Sequence, residues 1–252
     1  MIALVNAPVS RPIAQKSPPA TAPAPAPQDG VTLSPAAVAA ARDLPLQGTW
    51  NTRQIGGLPA KNGTIRENMV YRSDALQSLT SGDVNTLKAI PIKTVIDLRE
   101  PSELKTDGPD VYQAPNRVSL PMGTNINGTS PDGYKSLVLG NDASLRGFFA
   151  TMANPQNYPV LYHCHSGKDR TGIVSALLER VLGTPRDQIM SDYLLSQHDK
   201  PTKQVDASWM QAVFKTVDDA GGIDKFLQAR GVTAAQLASI RKILIDPSVQ
   251  KN

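Results

Sequence analysis

The run His163-Cys164-His165-Ser166-Gly167-Lys168-Asp169-Arg170-Thr171-Gly172 gathers a thiol, a guanidinium, a carboxyl and a series of backbone amides in one short stretch. Five residues separate Cys164 from Arg170, enough for the chain to curl into a cradle. In such a cradle the backbone N–H groups from His165 to Arg170 point inward at the oxygens of a phosphoryl group. Arg170 adds a planar fork that can hold two of those oxygens. Cys164 sits below phosphorus as the nucleophile, and amides together with a following helix N-terminus favour an anionic sulfur. Thr171 can donate its hydroxyl to the sulfur when that sulfur must leave. Gly167 and Gly172 permit close backbone approach.

Two further loop residues carry expectations. Asp169 would oppose phosphate by its charge, so its place in the loop makes sense as a general acid that is protonated when substrate is bound. Asp132 and Asp142 are rival acids only through the resemblance given below, which implies an acid on a separate upstream loop, and each is also readable as a turn or cap residue. The Lys168 ammonium could reach a second phosphate, as on an inositol ring, or simply face solvent. A lone cysteine is more often a small buried hydrophobe, but this one precedes a glycine- and arginine-containing turn. A metal reading of His163-Cys164-His165 fails because alternate strand residues face opposite ways and no second ligand cluster exists in the chain, so no metal or cofactor is expected.

The flanking elements place this loop. Tyr158-Pro159-Val160-Leu161-Tyr162 reads as a buried strand, and Ile173 to Leu182 as a buried helix ended by Gly183. Upstream, Ile92 to Leu98 is a β-branched run that reads as a central strand. At its end, Asp97 and Arg99 are readable as substrate-binding residues or as a structural ion pair. A helix is expected from Thr80 to Ile90, another from Asn141 to Asn154, and a strand at Asn116 to Leu120. Asn62-Gly63 suggests a hairpin leading into Thr64-Ile65-Arg66 and Met69 to Arg72, and residues 101–133 read as proline-rich loop. Past Gly183 the pattern is all helical, with helices from Thr184 to about His198, from Ala207 to Ala220, from Ile223 to Ala229, and after Thr233.

Residues 1–47 are a Pro/Ala-rich tail or linker with a short helix opened by Ser34-Pro35, and 48–252 form the catalytic domain, with 184–246 as a helical subdomain. The chain has 252 residues, 19% charged, with net charge +4, which suits anionic substrates. It lacks the dense basic, aromatic-interleaved runs of a nucleic-acid binder. One cysteine excludes an internal disulfide. Met1 to Val5 is too short for a signal core, yet the linker-like tail is of the kind found in exported proteins, so compartment stays open between export and cytoplasm.

The loop resembles the His-Cys-x5-Arg-Thr signature of the protein tyrosine phosphatase superfamily, and Gly167-Lys168-Asp169-Arg170-Thr171-Gly172 is similar to its bacterial, atypical, multiple-specificity members. Asn51-Thr52-Arg53-Gln54-Ile55-Gly56-Gly57 is similar to that family's Asn-Phe-Arg-Asp-Leu-Gly-Gly opening, with Gln54 in place of the usual Asp. Val70 to Ser73, Ile96 to Arg99 and Asp192 to Ser196 also match, and the likeness spans about residues 48–246. It implies a three-layer α/β phosphatase-like fold with a central sheet and a C-terminal helical lid or subdomain. It further implies hydrolysis of phosphotyrosine proteins and phosphoinositides through a cysteinyl-phosphate, with transient contact to a membrane surface. The rivals are a sulfurtransferase or arsenate reductase, which the Arg-Thr-Gly and single Cys disfavour, and a phosphoinositide- or phosphoprotein-binding module without turnover, which intact Cys164 and Arg170 disfavour.

Overall fold

The computed structural model describes residues 40, 42–123, 129–197 and 204–247. Residues 1–39 of the expected tail, with Ser34 and Pro35, and His198 lie outside the described residues, whereas 42–47 are described and Arg42 is buried with Asp192 as its partner. In chain order the strands are β1 (Arg53–Gln54), β2 (Pro59–Ala60), β3 (Gly63–Ile65), β4 (Val70–Ser73), β5 (Thr94–Asp97), β6 (Asn116–Ser119), β7 (Val160–His163) and β8 (Ile245–Asp246). The helices are α1 (Ser81–Ala89), α2 (Pro101–Asp107), α3 (Pro131–Gly140), α4 (Asp142–Met152), α5 (Arg170–Leu182), α6 (Arg186–Leu194), α7 (Ala207–Asp219), α8 (Ile223–Gln228) and α9 (Ala234–Leu244).

A five-stranded sheet in the order β1-β4-β7-β5-β6 forms the middle layer; β1 runs antiparallel to β4 and the other pairs are parallel. Its three inner strands, β4, β7 and β5, are buried at every residue, as expected of parallel strands covered on both faces. Strand alternation divides the side chains between two cores. Val70, Ile96, Val160 and Tyr162 join Phe148, Leu177, Met210 and Ile240 on one side. Tyr71, Val95 and Leu161 join Leu76, Leu87 and Ile92 on the other. The result is the expected mixed α/β architecture of helices on both faces of a central sheet.

The register decides where chemistry can gather. Ser73 pairs with His163, and Asp97 pairs with both His163 and Ser119, so four carboxyl ends finish level. The loops that follow β4, β5 and β7 therefore open on one edge, the usual place for a ligand in such a sheet.

Most expected elements form, and their caps explain their ends. Thr80 accepts from the Asp83 amide while the Asp83 carboxylate accepts from the Thr80 amide, starting α1. Thr233 and Gln236 do the same for α9. Gly183 closes α5 at φ 80°, a left-handed position that other residues adopt at a cost.

Asn62-Gly63 turns the expected hairpin, which joins β2 to β3 in a small sheet, and β4 pairs with β1 and β7. Two expectations are corrected. Residues 101–133 hold two helix starts: Glu100 and Glu103 form a capping pair around Pro101, and Ser130 caps α3 with Pro131 at its first turn. The region after Gly183 is not purely helical, because β8 follows α9 and pairs with β3. Met210, Phe214, Phe226, Leu237 and Ile240 from this region share the larger core with the sheet.

Candidate active site

Cys164 is 1% exposed and lies directly after β7, while α5 begins at Arg170. The intervening residues thus span a strand end and a helix N-terminus, where amides lack intrahelical partners. The curl is held from outside. Gly167 has φ 65°, and its carbonyl accepts from Asn51 Nδ2 at 2.8 Å and Arg72 Nη2 at 2.9 Å. The His165 carbonyl accepts from the Ala75 amide. Both outward-turned carbonyls are thereby satisfied within the protein.

Behind the loop lies a buried charged hub. Asp192 accepts from Arg42, Arg53 and Arg72 at 2.8, 3.0 and 2.9 Å, with all four side chains almost wholly buried. Burial alone would raise the Asp192 carboxyl, but Arg53, Arg42 and Arg72 outweigh it and hold the group well below the usual carboxylate range. Removing one partner from such a buried set costs about 3–5 kcal/mol. Arg72 belongs to both the hub and the loop, so the hub fixes the loop's position.

His163 is fully buried and engages the Cys164 backbone and the Asp110 side chain. Its Nδ1 lies 3.1 Å from the Cys164 carbonyl and its Nε2 3.1 Å from Asp110 Oδ2. Asp97 and Arg99 are part of the same support. Arg99 is fully buried, donating to Asp97 at 2.8 Å and to Asp110 at 2.7 Å. Of the two readings of this pair, the geometry is that of the structural one; Arg99 has no surface to offer a substrate. Asp97, Asp110 and His163 bring ligand-type atoms within 4.8 Å of one another, and the Arg99 guanidinium bridges the two carboxylates.

Arg170 is oriented by a residue the sequence does not advertise. Its Nη2 donates to Glu103 Oε1 at 2.6 Å, and its Nη1 donates to Glu103 Oε2. Burial disfavours the Arg170 charge, yet the Glu103 hydrogen bonds and the negative charge around it raise the group above its ordinary range. Glu103 responds in kind: burial would raise it, and Arg170 above all pulls it below the usual carboxylate range. The capping pair with Glu100 fixes this carboxylate at the start of α2.

The other loop residues diverge. His165 is exposed and its Nδ1 lies 2.8 Å from Asp107. Ser166 is half-buried at the loop's bend. Among the described residues, the buried Thr171 hydroxyl has no hydrogen-bond partner. Lys168 is not a solvent-facing charge: it is buried, donates to the Gln204 carbonyl at 3.0 Å and lies 5.7 Å from the Trp209 ring centre. Asp169 accepts from the Tyr134 hydroxyl at 2.7 Å, and Tyr134 accepts from the Tyr193 hydroxyl at 2.8 Å. Helices α3 and α7 thus stand against the loop through Tyr134 and Trp209, whose rings are 5.6 Å apart. Of the rival acids, Asp142 pairs with Arg230 and Asp132 is exposed in the first turn of α3.

Sequence reasoning missed Glu103, Asp110, Tyr134 and the hub around Asp192. Two signals were present. Glu100-Pro101 with Glu103, and Ser130-Pro131, are helix starts of the same kind as Ser34-Pro35, and each would have put a side chain at the cleft.

A tyrosine phosphatase family model matches residues 44–246. Among curated proteins, the triple specificity protein phosphatase PtpB of Mycobacterium tuberculosis is 30% identical, over 81% of this chain and 89% of its own length. A tyrosine-protein phosphatase of Nostoc commune is 30% identical over 56% of this chain and 52% of its own. Among solved structures, TpbA of P. aeruginosa matches with 20% identity over 68% of this chain and 91% of that one, at a TM-score of 0.42.

Proposed function

The chain belongs to the tyrosine phosphatase family and is a phosphatase, and from that premise we propose that it hydrolyses phosphomonoesters through a cysteinyl-phosphate on Cys164. The observation that carries the reading is the pairing of Cys164 at a strand end with Arg170 at the following helix start, with the Arg170 fork already oriented by Glu103. The thiolate attacks phosphorus, the ester oxygen leaves with a proton, and water then cleaves the thiophosphate to release inorganic phosphate and the thiolate. The loop amides and the Arg170 edge not taken by Glu103 receive the phosphoryl oxygens and hold the charge that grows on them. Asp169 gives the leaving oxygen its proton, since the phosphate dianion beside it keeps the carboxyl protonated. The partnerless Thr171 hydroxyl gives a hydrogen bond to the sulfur as it departs in the second step.

Phosphotyrosine proteins are the substrates this reading favours. Phosphoinositides are a second class, because the relative PtpB is described as having triple specificity and Lys168 brings a second cation to the loop. The contacts of Lys168 with Gln204 and Trp209 would have to loosen for it to meet a second phosphate. Work at a membrane surface would follow from lipid substrates; among the described residues, Met190, Leu194 and Trp209 are partly buried against the core, and only Val111 and Leu139 are large exposed hydrophobics.

The test is p-nitrophenyl phosphate hydrolysis by the wild type and by Cys164→Ser, each with and without EDTA. The wild type turns over in chelator, and Cys164→Ser loses at least about 1,000-fold in kcat while still binding vanadate or phosphate. Substantial activity in Cys164→Ser, or a wild type silenced by EDTA, would refute the proposal.

A further inference from the structure

We propose that Tyr134, polarised by Tyr193, is the positioning residue for the Asp169 carboxyl. The inference rests on Asp169 being the acid of the proposed reaction and assigns the groups that aim it. Tyr134 is 0% exposed, so it serves from within the protein and is not part of the surface a substrate meets.

Asp169 sits at the cap position of α5, yet its side chain makes no capping bond to that helix. Its carboxyl is instead engaged across the cleft wall, where Tyr134 on α3 donates to Oδ1 at 2.7 Å. An oxygen that accepts this bond acts as the carbonyl end of the neutral acid, so the transferable proton is directed to Oδ2. Tyr134 cannot turn its hydroxyl away at no cost, because Tyr193 donates to the Tyr134 oxygen at 2.8 Å and leaves the Tyr134 proton for Asp169. Two hydroxyls in series strengthen each other and place the stronger donor at the carboxyl.

Packing holds the ring that carries this hydroxyl. Tyr134 meets Tyr193 edge-on with centroids 6.1 Å apart and Trp209 of α7 at 5.6 Å. Burial first, and then the Asp169 charge, raise Tyr134 well above the usual tyrosine range, so it stays a donor throughout the working pH range. Burial raises Tyr193 likewise. Among the described residues, the charged groups that also act on this corner are Lys168, 3.8 Å from Asp169, Arg170, and Arg72 and Asp206, whose charges reach Tyr193. None of these is changed by taking the hydroxyl from Tyr134.

Two consequences separate positioning from mere packing. Loss of a donor to the carboxylate lets Asp169 keep its proton to higher pH, so the alkaline limb of the kcat/KM profile moves upward. Loss of orientation lowers kcat for esters whose leaving group must be protonated. Tyr134→Phe keeps the ring and the buried volume, and its alkaline limb rises by about one pH unit, with kcat on phenyl phosphate down about tenfold. Tyr193→Phe moves the limb the same way by less, and decides the matter alone if Tyr134→Phe fails to fold. In an Asp169→Asn background neither change lowers kcat further. The proposal is overturned if the limb of these variants stays at the wild-type position, or if Tyr134→Phe costs as much in the Asp169→Asn background as in the wild type. The acid assignment is tested separately by Asp169→Asn alone. If that variant hydrolyses phenyl and 2,4-dinitrophenyl phosphates in the wild-type ratio, the acid lies elsewhere whatever Tyr134 does.

Discussion

At the scale of single residues, the cradle was legible because its parts are contiguous. Cys164 and Arg170 lie in one loop, and their types and spacing leave few other chemistries. Glu103 was not legible, because it reaches Arg170 across 67 positions of sequence, and Tyr134 reaches Asp169 across 35. Contacts of that separation are made by the fold, and no local pattern encodes them. Glu103 has a measurable part to play. Glu103→Gln preserves shape but removes the charge that aligns the fork, so kcat/KM should fall about 10- to 100-fold in steady-state assays. The same variant has a defined pH signature. The Glu103 carboxyl is held below its unfolded value, so its contribution to stability is present above about pH 4 and is lost as pH falls through the folded value. Urea midpoints of wild type and Glu103→Gln should therefore differ at neutral pH and converge in strong acid; a gap that persists there would assign it to packing.

At the scale of elements, the catalytic turn depends on one backbone conformation. Gly167 adopts φ 65°, and a Cβ there would stand 2.6 Å from the Asp74 amide nitrogen and 2.8 Å from the Ser73 carbonyl. These are backbone atoms of the last residue of β4 and the one after it, which cannot step aside without moving the sheet edge. Gly167→Ala should lose about 2 kcal/mol of stability and most of its activity. Gly108 has a similar φ of 81° with nothing within 4 Å of a Cβ, so Gly108→Ala should show backbone strain alone and leave kcat/KM nearly intact. Urea denaturation and turnover of the two variants check this; equal loss of activity in both would contradict it. The strands and most helices were legible from β-branched runs and caps, as at Thr80 and Thr233. The two helices that carry Glu103 and Tyr134 were obscured by prolines, which at Pro101 and Pro131 open a helix instead of breaking one.

At the scale of the whole molecule, the sheet register and the Asp192 hub do what no single motif can. Level strand ends bring the loops after β4, β5 and β7 to one edge, and Arg72 ties the hub to the Gly167 carbonyl. The motif likenesses at Asn51 to Gly57, Val70 to Ser73 and Asp192 to Ser196 acquire a physical meaning here, since Asn51, Arg53, Arg72, Asp192 and Ser196 all meet behind the loop. Which arginine would pair with which acid could not be read from sequence, because such a cluster is decided by packing distance and burial. All of this construction serves one atom, the Cys164 sulfur. The direct test is to mix the enzyme with p-nitrophenyl phosphate, quench in acid within the first turnovers and map the phosphate by peptide mass spectrometry. The account predicts a phosphate on Cys164, formed with a burst of nitrophenol and absent in Cys164→Ser. Turnover with no phosphate on Cys164, or with phosphate on another residue, would contradict it.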